Sequence, residues 1–127
     1  MIHFKIKHRV IPNFDQGWGN GYVLIPKGHE YYEVHYDQID VDVHGGLTYS
    51  DYITKDFLDR SDLPKSEIDK IDLNHWWCIG FDTAHYGDNE YNCPESYVEN
   101  QCLYLKEQLK NSKKLNIIIK KTLENYE

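Results

Sequence analysis

His75-Trp76-Trp77-Cys78-Ile79-Gly80-Phe81-Asp82 decides the fold. The apolar stretch from Trp76 to Phe81 has strand length and is rich in aromatic and β-branched residues. Neighbouring side chains on a strand point to opposite faces, so two adjacent Trp mean that both faces of the sheet are covered. A strand of this kind belongs inside a layered domain, and the rest of the chain supplies the layers.

Working toward the N-terminus, Tyr22-Val23-Leu24-Ile25 reads as a second apolar strand, stopped by Pro26 and Gly28. Gly17-Trp18-Gly19-Asn20-Gly21 before it reads as a tight, glycine-rich connection. Ile2, Phe4 and Ile6 alternate with His3, Lys5 and Lys7, the pattern of a half-buried strand that Pro12-Asn13 ends. Ile39-Asp40-Val41-Asp42-Val43-His44 also alternates, and Gly45-Gly46 then reads as a hairpin turn into Leu47-Thr48-Tyr49-Ser50. Strands are therefore expected near 2–10, 21–26, 38–44, 47–53 and 75–82. Residues 29–37 carry His29, Tyr31, Tyr32, His35 and Tyr36 and read as an exposed loop.

Residues 54–73 read as a connector with short helical turns, with Ser66 capping Glu67 to Ile71. Pro94 suits the first turn of a helix and Glu95 suits its positive end. Val98, Cys102, Leu105 and Leu109 follow at spacings of four, three and four, one apolar stripe on a helix from about Pro94 to Lys110. Asn111-Ser112 interrupts the pattern, and Leu115 to Leu123 either continues the helix or forms a short second one. The expected architecture is α+β: a single domain over residues 1–127, with a mostly antiparallel sheet and a C-terminal helix or helix pair packed on it.

At 127 residues, with 40% hydrophobic and 28% charged residues, the chain is long enough for one real core and too apolar for disorder. The net charge of −7 disfavours sequence-independent nucleic-acid binding, because an acidic surface repels phosphate backbones. Aromatics reach 14%, and eleven are Tyr, a residue that serves strands, interfaces and ligand clefts alike. The segment Met1 to Val10 alternates rather than forming an apolar run, and no stretch approaches the ~20 apolar residues of a membrane span, so a cytoplasmic protein without a membrane partner is expected. Cys78, Cys93 and Cys102 are odd in number and include no C-x-x-C pair, which argues against a disulfide framework or zinc finger. Cys78 and Cys102 read as inert core thiols. Cys93, just before the helix, is a candidate for a lowered pKa but has no identifiable partner.

The polar residues with chemical potential gather in two glycine-flanked segments. One is Asp42-Val43-His44-Gly45-Gly46; the other is Asp82-Thr83-Ala84-His85-Tyr86-Gly87-Asp88. Asp42 and His44 lie two apart on the expected strand and project together, while Asp82, His85 and Asp88 are spaced by three and three. Such a set suits a metal of the Zn²⁺, Mn²⁺ or Fe²⁺ class, a carboxylate-oriented imidazole, or plain turn chemistry. No phosphate loop, dinucleotide fingerprint or Ser-centred elbow accompanies them. The expected ligand-binding residues are Asp42, His44, Gly45, Trp77, Phe81, Asp82, His85 and Asp88, with the two segments sharing one cleft. No cofactor and no metal are expected, and binding is favoured over catalysis because no activated nucleophile is apparent. The tail cluster Ile117-Ile118-Ile119 exceeds what one helix stripe needs, so a homo-oligomer is expected.

Gly19-Asn20-Gly21-Tyr22-Val23, Ile25-Pro26-Lys27-Gly28-His29, Asp40 through Thr48, and Trp77 through Asp88 resemble a family of small uncharacterised bacteriophage and prophage proteins. The resemblance covers roughly residues 17–110. It implies a phage accessory protein that counters host defence by binding. The resemblance assigns no functional residues; the residues themselves suggest a small nucleotide-like immune signal held near His44 and His85, with Tyr and Trp stacking on bases and Arg9 or Lys27 meeting phosphate. Two alternatives stand beside it: a metal-dependent hydrolase using Asp42, His44, Asp82, His85 and Asp88, and a protein-binding inhibitor of a host defence enzyme.

Overall fold

A computed structural model describes residues 1–125, with side chains through residue 111. Four strands, β1 (Ile2–Lys7), β2 (Gly19–Pro26), β3 (Tyr49–Tyr52) and β4 (Trp76–Phe81), form one sheet in the order β1-β2-β4-β3, and every pair is antiparallel. A long helix, α3 (Glu95–Asn125), packs on one face, while the short helices α1 (Lys55–Asp59) and α2 (Lys65–Ile68) lie on the other. The fold is the expected α+β arrangement: a small antiparallel sheet with a C-terminal helix on it.

Side-chain alternation sorts the two faces. Val23 and Ile25 of β2 and Trp77, Ile79 and Phe81 of β4 form one core with Val98, Cys102, Leu105 and Leu109 of α3. Tyr22 and Leu24 of β2 and Cys78 of β4 join Phe4, Ile53, Leu58 and Ile68 in the other. Val98, Leu105 and Leu109 are wholly buried, each contributing on the order of 1.5–3 kcal/mol. Gly21 allows α3 to sit close: a Cβ there would lie 2.5 Å from both the Cys102 sulfur and the Phe81 ring.

The α3 face of β1 is polar and is bridged to the helix. Lys5 is 7% exposed, yet its ammonium is hydrogen-bonded to Glu99 and lies 3.1 Å from Asp62. His3 Nε2 sits 2.8 Å from Glu99 Oε1, closing the same network. Burial alone would depress the Lys5 pKa, but the hydrogen bonds to Glu99 and Asp62 outweigh it and raise it. For Glu99, burial pushes upward, and the bonds from Lys5 and His3 bring the net shift downward.

The structure corrects several expectations. Residues 38–44 do not form a strand, so Gly45-Gly46 does not join a hairpin, although Gly46 N–H does close a turn onto Val43 C=O at 2.8 Å. The alternation there is real: Ile39 and Val43 are buried, Asp40 and Asp42 exposed. The backbone partners are side chains of α3. Asp42 N–H donates to Gln108 Oε1 and Gln108 Nε2 donates to Asp42 C=O, both at 2.7 Å. His44 N–H donates to Gln101 Oε1 at 2.9 Å. Two helix glutamines thus replace a neighbouring strand, and alternation alone does not reveal which partner an extended segment will find.

The other differences are local. Asn111-Ser112 does not interrupt α3, which runs on to Asn125 as one helix and not a pair. Ser66 lies inside α2, with Pro64 at the cap position. His29 is buried, not exposed: its Nδ1 accepts Tyr31 N–H at 3.0 Å, so Nε2–H donates to Leu109 C=O at 3.0 Å. The side chains of Ile117, Ile118 and Ile119 lie outside the described residues.

Candidate functional site

The turn 43–46 and the loop 82–93 meet at the end of the sheet where β4 finishes. Asp88 is the hub. Its two carboxylate oxygens each lie 3.0 Å from His44 Nε2, and Oδ2 also accepts the His85 amide at 3.0 Å. The Cys93 sulfur is 3.8 Å from Asp88 Oδ1 and 3.9 Å from His44 Nε2. On the other side of the His44 ring, Nδ1 sits 2.8 Å from Tyr97 Oη. With Nε2–H donating to Asp88, Nδ1 accepts the Tyr97 hydroxyl proton.

Burial alone would raise the Asp88 pKa, but the hydrogen bonds from His44 and from the His85 amide more than offset this and lower it. Cys93 goes the opposite way to the sequence expectation. Burial first, and then the Asp88 carboxylate, push its thiol pKa up. It is a protonated donor to Asp88 and not an activated nucleophile, and it has the partners the sequence did not disclose. The helix start cannot outweigh a carboxylate at hydrogen-bond range. Cys102 is pushed up to about 12 and Cys78 further still, both by burial, as inert core thiols should be.

Asp82 and His85 adjoin the hub. Asp82 Oδ2 accepts Thr48 Oγ1–H and Oδ1 accepts Ala84 N–H, each at 2.9 Å. The His44 and His85 rings cross edge to face with centroids 5.8 Å apart. His85 Nδ1 lies 3.4 Å from both Asp82 Oδ1 and Asp88 Oδ2, within ion-pair range but off the hydrogen-bond direction, and it is sealed from solvent. Gly45 lets the rings approach: at φ +68° its backbone is left-handed, and a Cβ would fall 2.4 Å from His85 Cε1.

The structure therefore brings His44, Gly45, Asp82, His85 and Asp88 together and leaves three other expected residues outside. Asp42 faces α3, where its Oδ2 accepts the Tyr104 hydroxyl at 3.2 Å; it and His44 do not project into one space. Trp77 is locked in the core, its Nε1–H donating to Val34 C=O at 2.9 Å. Phe81 is 1% exposed and packed over Gly21. Both Trp77 and Phe81 face α3 because odd-numbered β4 residues do. Cys93 and Tyr97 are the residues that sequence reasoning missed. A signal existed for Tyr97. Tyr97, Gln101, Tyr104 and Gln108 repeat the spacing of the apolar stripe one position earlier, and every one of them bonds to Asp42 or His44.

Beside the hub an open groove of about 570 Å³ runs between Asn13, Phe14 and Asp15 and the segment 84–89. It continues into a smaller hollow of about 270 Å³ that reaches His8 and Arg9 and shares Phe14, Asp15 and Asn89. Phe14 is 51% exposed and Tyr86 fully so. Among the described residues, no helix is long and apolar enough to cross a membrane. No protein-family model, no curated protein and no solved structure matches the chain.

Proposed function

We propose that this protein acts by binding, as a phage or prophage accessory protein that sequesters a nucleotide-like immune signal in the host cytoplasm. One observation carries the reading: two large solvent-exposed rings, Phe14 and Tyr86, line a groove that His85 and Asp88 also line and whose extension reaches Arg9. Exposed rings beside a cavity suit a flat ligand, and a few polar groups lining it suit the edge of that ligand. Arg9 supplies a cation for phosphate. Lys27 does not share this groove: it follows β2 at the opposite end of the sheet, beside Tyr32, Tyr52 and Lys55. The protonated Cys93 favours capture over covalent chemistry. In the same reading the chain self-associates through its Ile117-Ile118-Ile119 cluster.

The test is mass spectrometry of small molecules released by heat from protein purified out of cells with an active nucleotide-signal defence. An intact nucleotide, retained by the parent and lost from Arg9→Ala and Tyr86→Ala, is the expected result. Release of no nucleotide, with no binding across a nucleotide panel, overturns the reading. Light scattering that gives 15.1 kDa over a wide concentration range overturns the self-association.

A further inference from the structure

We propose that His44, Asp88 and Cys93 form a site for a zinc-class divalent transition metal ion, with His44 Nε2, one Asp88 oxygen and the Cys93 sulfur as its protein ligands. This departs from the expectation of a metal-free chain, and it does not rest on the nucleotide reading: the two share Asp88 on the groove lining, but Arg9, Phe14 and Tyr86 take no part in the metal site.

The three ligand atoms come from two segments, the turn 43–46 and the loop 82–93, and lie within 4.8 Å of one another. A tetrahedral zinc ion would space its sulfur about 3.6 Å from each nitrogen or oxygen ligand, and the nitrogen about 3.3 Å from the oxygen. The corresponding separations are 3.9, 3.8 and 3.0 Å. Shifts of roughly 0.3 Å convert one set to the other, which side-chain torsions supply without moving the backbone. The donor set is also selective. Sulfur and imidazole nitrogen with one carboxylate match zinc-class ions, whereas Mg²⁺ and Ca²⁺ prefer oxygen alone.

The surroundings hold the ligands in place. The His85 amide fixes Asp88 Oδ2, and Asn89 C=O accepts the Cys93 amide at 2.8 Å. Tyr97 holds the His44 ring at Nδ1. Its hydroxyl can donate or accept, so it supports either tautomer: Nε2–H toward Asp88 without metal, or Nδ1–H toward Tyr97 when Nε2 binds the ion. Cys93 is 2% exposed and the side chain of Asp88 9%. Metal entry releases the Cys93 thiol proton to solvent, and the resulting thiolate and carboxylate balance the two charges of the ion. Three protein ligands leave the fourth position to water or an exogenous anion.

Cobalt(II), a coloured substitute for zinc, tests the site in the full chain after metal removal with a chelator. One Co²⁺ per chain is expected, with a thiolate-to-cobalt charge-transfer band and the strong visible bands of tetrahedral coordination, all lost on adding Zn²⁺. Cys93→Ser abolishes the charge-transfer band. Tyr97→Phe weakens affinity about 10-fold by freeing the ring, and Arg9→Ala leaves the spectrum unchanged. The absence of saturable Co²⁺ binding, or a charge-transfer band that survives in Cys93→Ser, overturns the proposal. X-ray absorption of the zinc-loaded parent decides the matter even if Cys93→Ser fails to fold. One sulfur at about 2.3 Å is expected, and a shell with no sulfur overturns the site.

Discussion

Asp88 holds His44 through both carboxylate oxygens, each 3.0 Å from Nε2, although the two residues lie 44 positions apart in sequence. The same carboxylate takes the amide of His85, so one side chain ties the turn 43–46 to the loop 82–93. Asp88→Ala removes all of these bonds and leaves His44 Nε2–H without its acceptor. A loss of about 1–3 kcal/mol is expected in urea denaturation, with faster hydrogen exchange at the His85 amide. An unchanged midpoint and unchanged exchange would show that the loop is held by other contacts.

Acid should unfold the protein through two specific carboxylates. Asp88 and Glu99 both have lowered pKa values in the folded state, from their hydrogen bonds outweighing burial. Groups of this sign contribute stability that is complete above their unfolded pKa values, about 3.9 for Asp and about 4.3 for Glu. That contribution is lost as pH falls below those values and through the folded ones. Melting temperature should therefore drop steeply below about pH 4. Asp88→Asn and Glu99→Gln should each start lower at neutral pH and show a shallower acid limb. Parallel curves for parent and variants would assign the acid sensitivity elsewhere.

Gly45 and Gly46 make a controlled pair. Both have positive φ, +68° and +78°, but a Cβ at Gly46 meets nothing within 4 Å while one at Gly45 runs into the His85 ring. Gly46→Ala should cost only the backbone strain, about 1–2 kcal/mol. Gly45→Ala carries the same strain and displaces His85 as well. The imidazole resonances of His85 should move in Gly45→Ala and stay in place in Gly46→Ala. Identical spectra for the two variants would mean that the turn and the ring are not in contact in solution.

Val98→Asp should prevent folding. Val98 is wholly buried in the core between α3 and the sheet, so the substitution sets an unpaired carboxylate among apolar side chains. An unpaired buried charge is one of the few mechanisms that reach losses of about 4 kcal/mol or more. A melting temperature close to the parent's, measured by circular dichroism, would show that α3 leaves the sheet.

Much of the framework was legible in the sequence. The paired Trp76 and Trp77 required a strand covered on both faces, and Val98, Cys102, Leu105 and Leu109 specified the helix that covers one of them. These are periodic signals, fixed by the geometry of strand and helix and therefore readable without the fold. Chain partnership was not readable. Ile39 to His44 alternates as a strand does, but whether its amides meet a strand or the glutamines of α3 depends on what lies alongside in space. Trp77 and Phe81 carry the rings a ligand site would use, and only the facing of β4 consigned them to the core. Cys93 shows the reason most directly. Its neighbours in sequence suggested a lowered pKa at a helix start, whereas its burial and the Asp88 carboxylate beside it raise the pKa, and His44 completes the group that the proposed metal site uses. Local periodicity is encoded residue by residue, but the charge and ligands around a buried thiol are set by groups that only tertiary packing brings within a few ångströms.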